Sequence, residues 1–102
     1  MKREAAIQAE ILRYLRSLGT LCWVIKAAIC NERGVPDLLC CYRGRFVAFE
    51  VKTGKGRISG PQRVQLDRIR TARGRAVVVR SRGDVQKIIK QLDQEDDDDL
   101  AL

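Results

Sequence analysis

The feature that most constrains this chain is a pair of apolar runs, LLCCY (38–42) and RFVAFEV (45–51), separated only by Arg43-Gly44. Two β-prone runs either side of so short a break specify an antiparallel hairpin. Leu38, Leu39, Phe46, Val47, Ala48, Phe49 and Val51 put apolar side chains on both strand faces, as in strands covered on both sides. Yet the open end of the hairpin carries Asp37, Glu50 and Lys52. With the turn centred on Arg43-Gly44 as a two- or four-residue loop, facing pairs run from Tyr42–Arg45 back to Asp37–Glu50. Facing residues share a side of the sheet with Cβ atoms about 4.5–5.5 Å apart, and Lys52, two residues beyond Glu50, emerges there as well. A three-residue loop would shift the register and spoil the pairing.

Like charges directly opposite each other are destabilising, so the Asp37–Glu50 pair asks for compensation. A divalent cation supplies it. Hard oxygen donors without histidine or cysteine favour Mg²⁺ or Mn²⁺, which take one or two carboxylates and keep waters for a phosphate substrate. Lys52 would orient or deprotonate an attacking water, or stabilise charge on a pentacoordinate phosphate. The plainer alternative is a surface hairpin with an Asp37–Lys52 salt bridge. The apolar neighbours weigh against it, because a charge among them is costly without a purpose.

The other elements fall either side of the hairpin. Ile7, Ile11, Tyr14, Leu15 and Leu18 form one stripe of a helix over residues 3–18, stopped at Gly19. Residues 21–27 (LCWVIKA) read as a strand, 28–35 as a loop, and 37–42 and 45–52 as the hairpin strands. A glycine-rich basic loop (53–60, TGKGRISG) leads into a helix opened by Ser59-Gly60-Pro61 and running to about Arg73. A strand at 76–80 and a last helix, N-capped by Asp84 and ending near Leu92, complete the order α-β-β-β-α-β-α. That is one mixed α/β domain over residues 1–92, and the acidic residues 93–102 are expected to be a disordered tail.

The net charge of +7 understates how basic the body is. The last ten residues hold six of the thirteen acids and none of the twenty bases, leaving +13 over residues 1–92. Such a surface suits a polyanion, most commonly nucleic acid. Lys55 and Arg57 in the glycine-rich loop, and Arg33 before Gly34, are the candidate contacts. No recognition-helix motif is present and aromatics are 5%, so backbone contact and DNA shape are the expected readout. Cys22, Cys30, Cys40 and Cys41 match no zinc spacing and read as small buried hydrophobes. With no apolar run near membrane length and no hydrophobic leader, the expected place is the cytoplasm, at the nucleoid.

Pro36-Asp37, followed after twelve residues by Glu50-Val51-Lys52, resembles the PD-(D/E)xK nuclease signature. More narrowly, the EAAIQ helix, the G-V-P-D and F-E-V-K strands and the G-P-Q helix start resemble a stand-alone VRR-NUC domain from about Glu4 to Val85. The resemblance implies a restriction-endonuclease-like fold and Mg²⁺- or Mn²⁺-dependent phosphodiester hydrolysis. It implies Asp37, Glu50 and the Val51 carbonyl as metal ligands, Lys52 as catalytic, and Gln62 near the site. It also implies branched or Holliday-junction DNA as substrate and a homodimer as the working form. The family places a glutamate of the first helix at the metal. The helical wheel puts Glu4 inside the apolar stripe and Glu10 on its edge, which favours Glu4 and leaves Glu10 as the alternative. The rival functions are a non-catalytic nucleic-acid-binding module and a basic assembly protein, neither of which uses Asp37, Glu50 and Lys52.

Overall fold

The computed structural model describes residues 3–27 and 31–100, the last three of them as backbone only. Helix α1 (Glu4–Arg16) leads through a 3₁₀ turn at Gly19–Leu21 to strand β1 (Cys22–Lys26). Strands β2 (Leu38–Tyr42) and β3 (Arg45–Val51), helix α2 (Gly60–Thr71), strand β4 (Arg75–Val79) and helix α3 (Arg82–Leu100) follow. The expected order α-β-β-β-α-β-α is the observed one. The strands form one sheet in the order β1-β2-β3-β4. The first two pairings are antiparallel and β3–β4 is parallel, so the sheet is mixed.

The hairpin turn has two residues, Arg43 (φ 49°) and Gly44 (φ 86°). Both lie in the left-handed region, as the tightest hairpin turn demands. The register follows from it: Tyr42 faces Arg45 and Leu38 faces Phe49, so Asp37 and Glu50 come next beyond the last ladder pair.

One sheet face packs on α1 through Ile7, Ile11 and Leu15 and on α3 through Val85, Ile89 and Leu92. Val24, Leu38, Cys40, Val47, Phe49, Val51 and Val79 meet them from the sheet. The other face carries Trp23, Ile25, Leu39, Cys41, Phe46, Ala48 and Glu50, and α2 covers its β4 side with buried Leu66. Of the cysteines, Cys40 is buried, Cys22 and Cys41 are half-buried, and Cys30 lies outside the described residues.

Gly34 has φ +79°, and a Cβ there would come within 2.2 Å of the Pro61 carbonyl oxygen. The loop that delivers Asp37 therefore lies directly on the start of α2, an approach only glycine permits.

Two expectations change in α3. Asp84 is not the N-cap: the helix begins at Arg82, Ser81 Oγ accepts from the Asp84 amide (3.1 Å), and Asp84 Oδ2 accepts from the Arg80 amide (2.9 Å). Nor is residue 93 the start of a disordered tail, because the helix runs on to Leu100. Asp93 accepts from Tyr42 Oη (2.7 Å) and Arg43 (3.1 Å), Asp96 pairs with Arg45 (2.9 Å), and Glu95 pairs with Arg75. Composition alone predicts a solvated coil, and these arginines override it.

Candidate active site

The site is assembled at the end of the sheet away from the hairpin turn, where β2 begins and β3 ends. Asp37 is the residue before β2, and its carbonyl accepts from Ala27 (3.0 Å), extending the β1–β2 ladder. Its side chain crosses to the next strand, where Oδ2 accepts from the Val51 amide at 2.8 Å. Lys52 is held in turn by its amide, which donates to the Val79 carbonyl of β4 at 3.0 Å. Strand pairing on both sides thus fixes Asp37, Val51 and Lys52 relative to one another.

Glu50 is 1% exposed, the one acid or base in the buried set of the described residues. Its Oε2 accepts from Gln62 Nε2 (3.1 Å) and lies 3.7 Å from Lys52 Nζ. Its Oε1 is buried with no hydrogen-bond donor. Burial, and next the adjoining Asp37 carboxylate, push the Glu50 carboxyl up to about 7 against the pull of Lys52. A buried carboxylate with an orphaned oxygen is costly unless something fills the gap.

Helix α1 brings the third acid. Glu4 stands in its first turn, and one carboxylate oxygen from each of Glu4, Asp37 and Glu50 can be chosen so that all lie within 4.8 Å of one another. Glu10, the alternative, is instead 3.7 Å from Arg82 of α3. Three carboxylates converging around an unpartnered buried oxygen have the chemistry of a hard-cation site, and the residues present could hold a divalent metal. A hollow of about 220 Å³, lined among others by Gln8, Glu32 and Asp37, adjoins the cluster.

Gln62 has two tasks. Its amide donates to Ser59 Oγ (3.3 Å) and its Oε1 accepts from the Ser59 amide (2.8 Å), which closes a capping box at the start of α2. That box orients the other end of the same side chain, Nε2, towards Glu50. The G-P-Q stretch is therefore the helix start and the support of the buried carboxylate at once.

Lys55 and Arg57 are exposed in the loop that follows Lys52. Arg33 is exposed beside Gly34, and its carbonyl accepts from Gln65 Nε2 at 3.2 Å. One residue that sequence reasoning missed is Arg80. Its guanidinium donates to the carbonyls of Gly54 (2.7 Å), Gly56 (2.9 Å) and, at 3.5 Å, Thr53. It clamps the basic loop from the far end of β4. Nothing in the sequence distinguishes it from the other bases, since its role exists only once β4 lies parallel to β3.

The sheet, its two helical layers and this cluster together make a small mixed α/β domain with three carboxylates gathered at one end of the sheet. No family model and no curated protein matches the sequence. Solved structures do. One described as "VRR_NUC domain" superposes with a TM-score of 0.74 at 27% identity, covering 88% of this chain and 97% of the other. A second, "VRR_NUC domain protein", gives a TM-score of 0.69 at 19% identity, covering 88% of this chain and 87% of its own. The chain has the fold of these VRR_NUC domain structures.

Proposed function

We propose that this domain is a metal-dependent DNA endonuclease that hydrolyses phosphodiester bonds at the Glu4–Asp37–Glu50 cluster. The observation that carries the reading is Glu50: a fully buried carboxylate with an undonated oxygen, grouped with two further acids and one lysine. Glu4, Asp37, Glu50 and the Val51 carbonyl would hold Mg²⁺ or Mn²⁺. Such an ion, when bound, supplies a Lewis acid for phosphoryl oxygens and lowers the pKa of an attacking water.

The chain's own groups do the rest. The Val51 amide keeps the Asp37 carboxylate facing the cluster. Gln62 fixes Glu50 Oε2, leaving Oε1 as the open donor. Lys52, held beside Glu50, orients the water and donates to the oxygens that gain charge as the phosphorus becomes pentacoordinate. Lys55, Arg57 and Arg33 take phosphates to either side of the scissile one.

The finer reading is selectivity for branched or Holliday-junction DNA by a symmetric dimer, which would offer one site to each of two strands. It is supported by an apolar row across the half of the sheet face that α2 leaves open. Trp23 (59% exposed), Ile25 and Phe46 lie there, and Trp23, Cys41 and Phe46 are register partners. A face of that kind suits a second copy.

Labelled forked, flapped and four-way DNAs incubated with Mg²⁺ test the proposal. Wild-type protein is expected to cut at least one, and folded Asp37→Ala and Lys52→Ala proteins to lose about 10²–10⁴-fold in rate. Undiminished cleavage by either variant would overturn the mechanism. Binding without cleavage in every divalent metal would instead favour the non-catalytic module.

A further inference from the structure

Past Leu92, helix α3 has no reason of its own to exist. Its core contacts are made by Val85, Ile89 and Leu92, and DQEDDDDL follows. Asp is a poor helix former, acids three and four apart repel, and negative charge at a helix C-terminus opposes the macrodipole. No base stands in the last turn. What holds the stretch is arginine from the sheet: Arg43 with Asp93 and Asp96, Arg45 with Glu95 and Asp96, and Arg75 with Glu95. These arginines come from the β2–β3 turn and the starts of β3 and β4, so the sheet gathers them at the end opposite Glu50.

Arginine binds carboxylate and phosphate through the same forked donor geometry. The pairs are partly exposed, so each is weak and open to exchange. Arg45 lies five residues along β3 from Glu50, about 17 Å at strand spacing. A DNA with one phosphate at Glu50 extends far enough to place another phosphate at these arginines.

We propose that Arg43, Arg45 and Arg75 form a second nucleic-acid phosphate site, which the acidic end of α3 occupies in the free protein and leaves when DNA binds. The acidic stretch is a built-in competitor that raises the threshold for DNA, and its helix melts on release. The inference rests on nucleic acid being the partner but not on cleavage.

Fluorescence anisotropy with labelled duplex and four-way DNA in EDTA tests it on the full chain, where cleavage plays no part. Glu95→Gln/Asp96→Asn should bind about tenfold more tightly than wild type, with a salt dependence steeper by about 2, as expected for roughly two more phosphates neutralised. The gain should vanish in an Arg43→Gln/Arg45→Gln background and, per charge removed, exceed that of Asp67→Asn, which removes one charge elsewhere. In the wild-type protein, DNA should accelerate amide exchange over residues 93–97. DNA binding with no gain, a gain matched by Asp67→Asn, a gain that survives loss of Arg43 and Arg45, or unchanged exchange would each overturn the inference while leaving the nuclease reading intact. Absence of any DNA binding at low salt would overturn both.

Discussion

Glu50 joins two properties that rarely coexist in a stable domain. It is enclosed by the sheet and α2, and it borders a second carboxylate across the hairpin. Its carboxyl is raised from 4.5 to about 7 without an ion, by burial first and Asp37 second. A group whose folded pKa exceeds its unfolded one stabilises the fold fully below the unfolded value and loses that contribution as pH rises through the folded value. Metal-free protein should therefore lose roughly 3 kcal/mol of stability between pH 4.5 and pH 8 on account of this one residue. Thermal melts in EDTA at the two values should show the fall. Glu50→Gln should abolish most of it, and saturating Mn²⁺, which favours the ionised carboxylate, should reverse it for wild type alone. A melt that is flat with pH in EDTA would mean that Glu50 is neither so buried nor so crowded.

At the scale of elements, the site depends on which ends of which strands come together. Arg80 shows this best, because it reaches from the end of β4 to three carbonyls of the loop after β3. As a positioning residue it should affect substrate binding more than chemistry. Arg80→Ala is expected to raise KM for DNA by about tenfold, in line with hydrogen bonds from a charged donor, with kcat changed less than twofold and Mn²⁺ affinity unchanged. Steady-state cleavage and metal titration would check it, and an equal fall in kcat would show that the loop takes part in the chemistry itself. The sequence made the hairpin legible because both runs and their two-residue break are local, and the Asp37–Glu50 adjacency followed from that register. The Gln62 capping box was half legible: the helix start could be read, but not the aim of Nε2 at Glu50. Arg80 and the course of α3 beyond Leu92 were hidden, since each depends on partners far along the chain. In α3 the poor helix propensity of the acidic stretch is outweighed by its pairs with Arg43, Arg45 and Arg75.

Over the whole molecule, charge is sorted by place. Acids gather at the two ends of the sheet, Glu4, Asp37 and Glu50 at one and Asp93, Glu95 and Asp96 of α3 at the other, on a body that is otherwise strongly basic. The first group lies beside Lys52 at the edge of a hollow, and the second neutralises arginines. Trp23, Ile25 and Phe46 form an exposed apolar row on the same sheet face as Glu50. Among the described residues no helix is long and apolar enough to cross a membrane. The proposed nuclease function requires the first acidic group to be a metal centre served by Lys52. Calorimetric titration with Mn²⁺, run beside cleavage assays on wild-type, Asp37→Ala and Lys52→Ala proteins, separates holding the ion from using it. The prediction is that Asp37→Ala loses both Mn²⁺ binding and cleavage, while Lys52→Ala still binds Mn²⁺ and no longer cuts; full Mn²⁺ affinity in folded Asp37→Ala would contradict it.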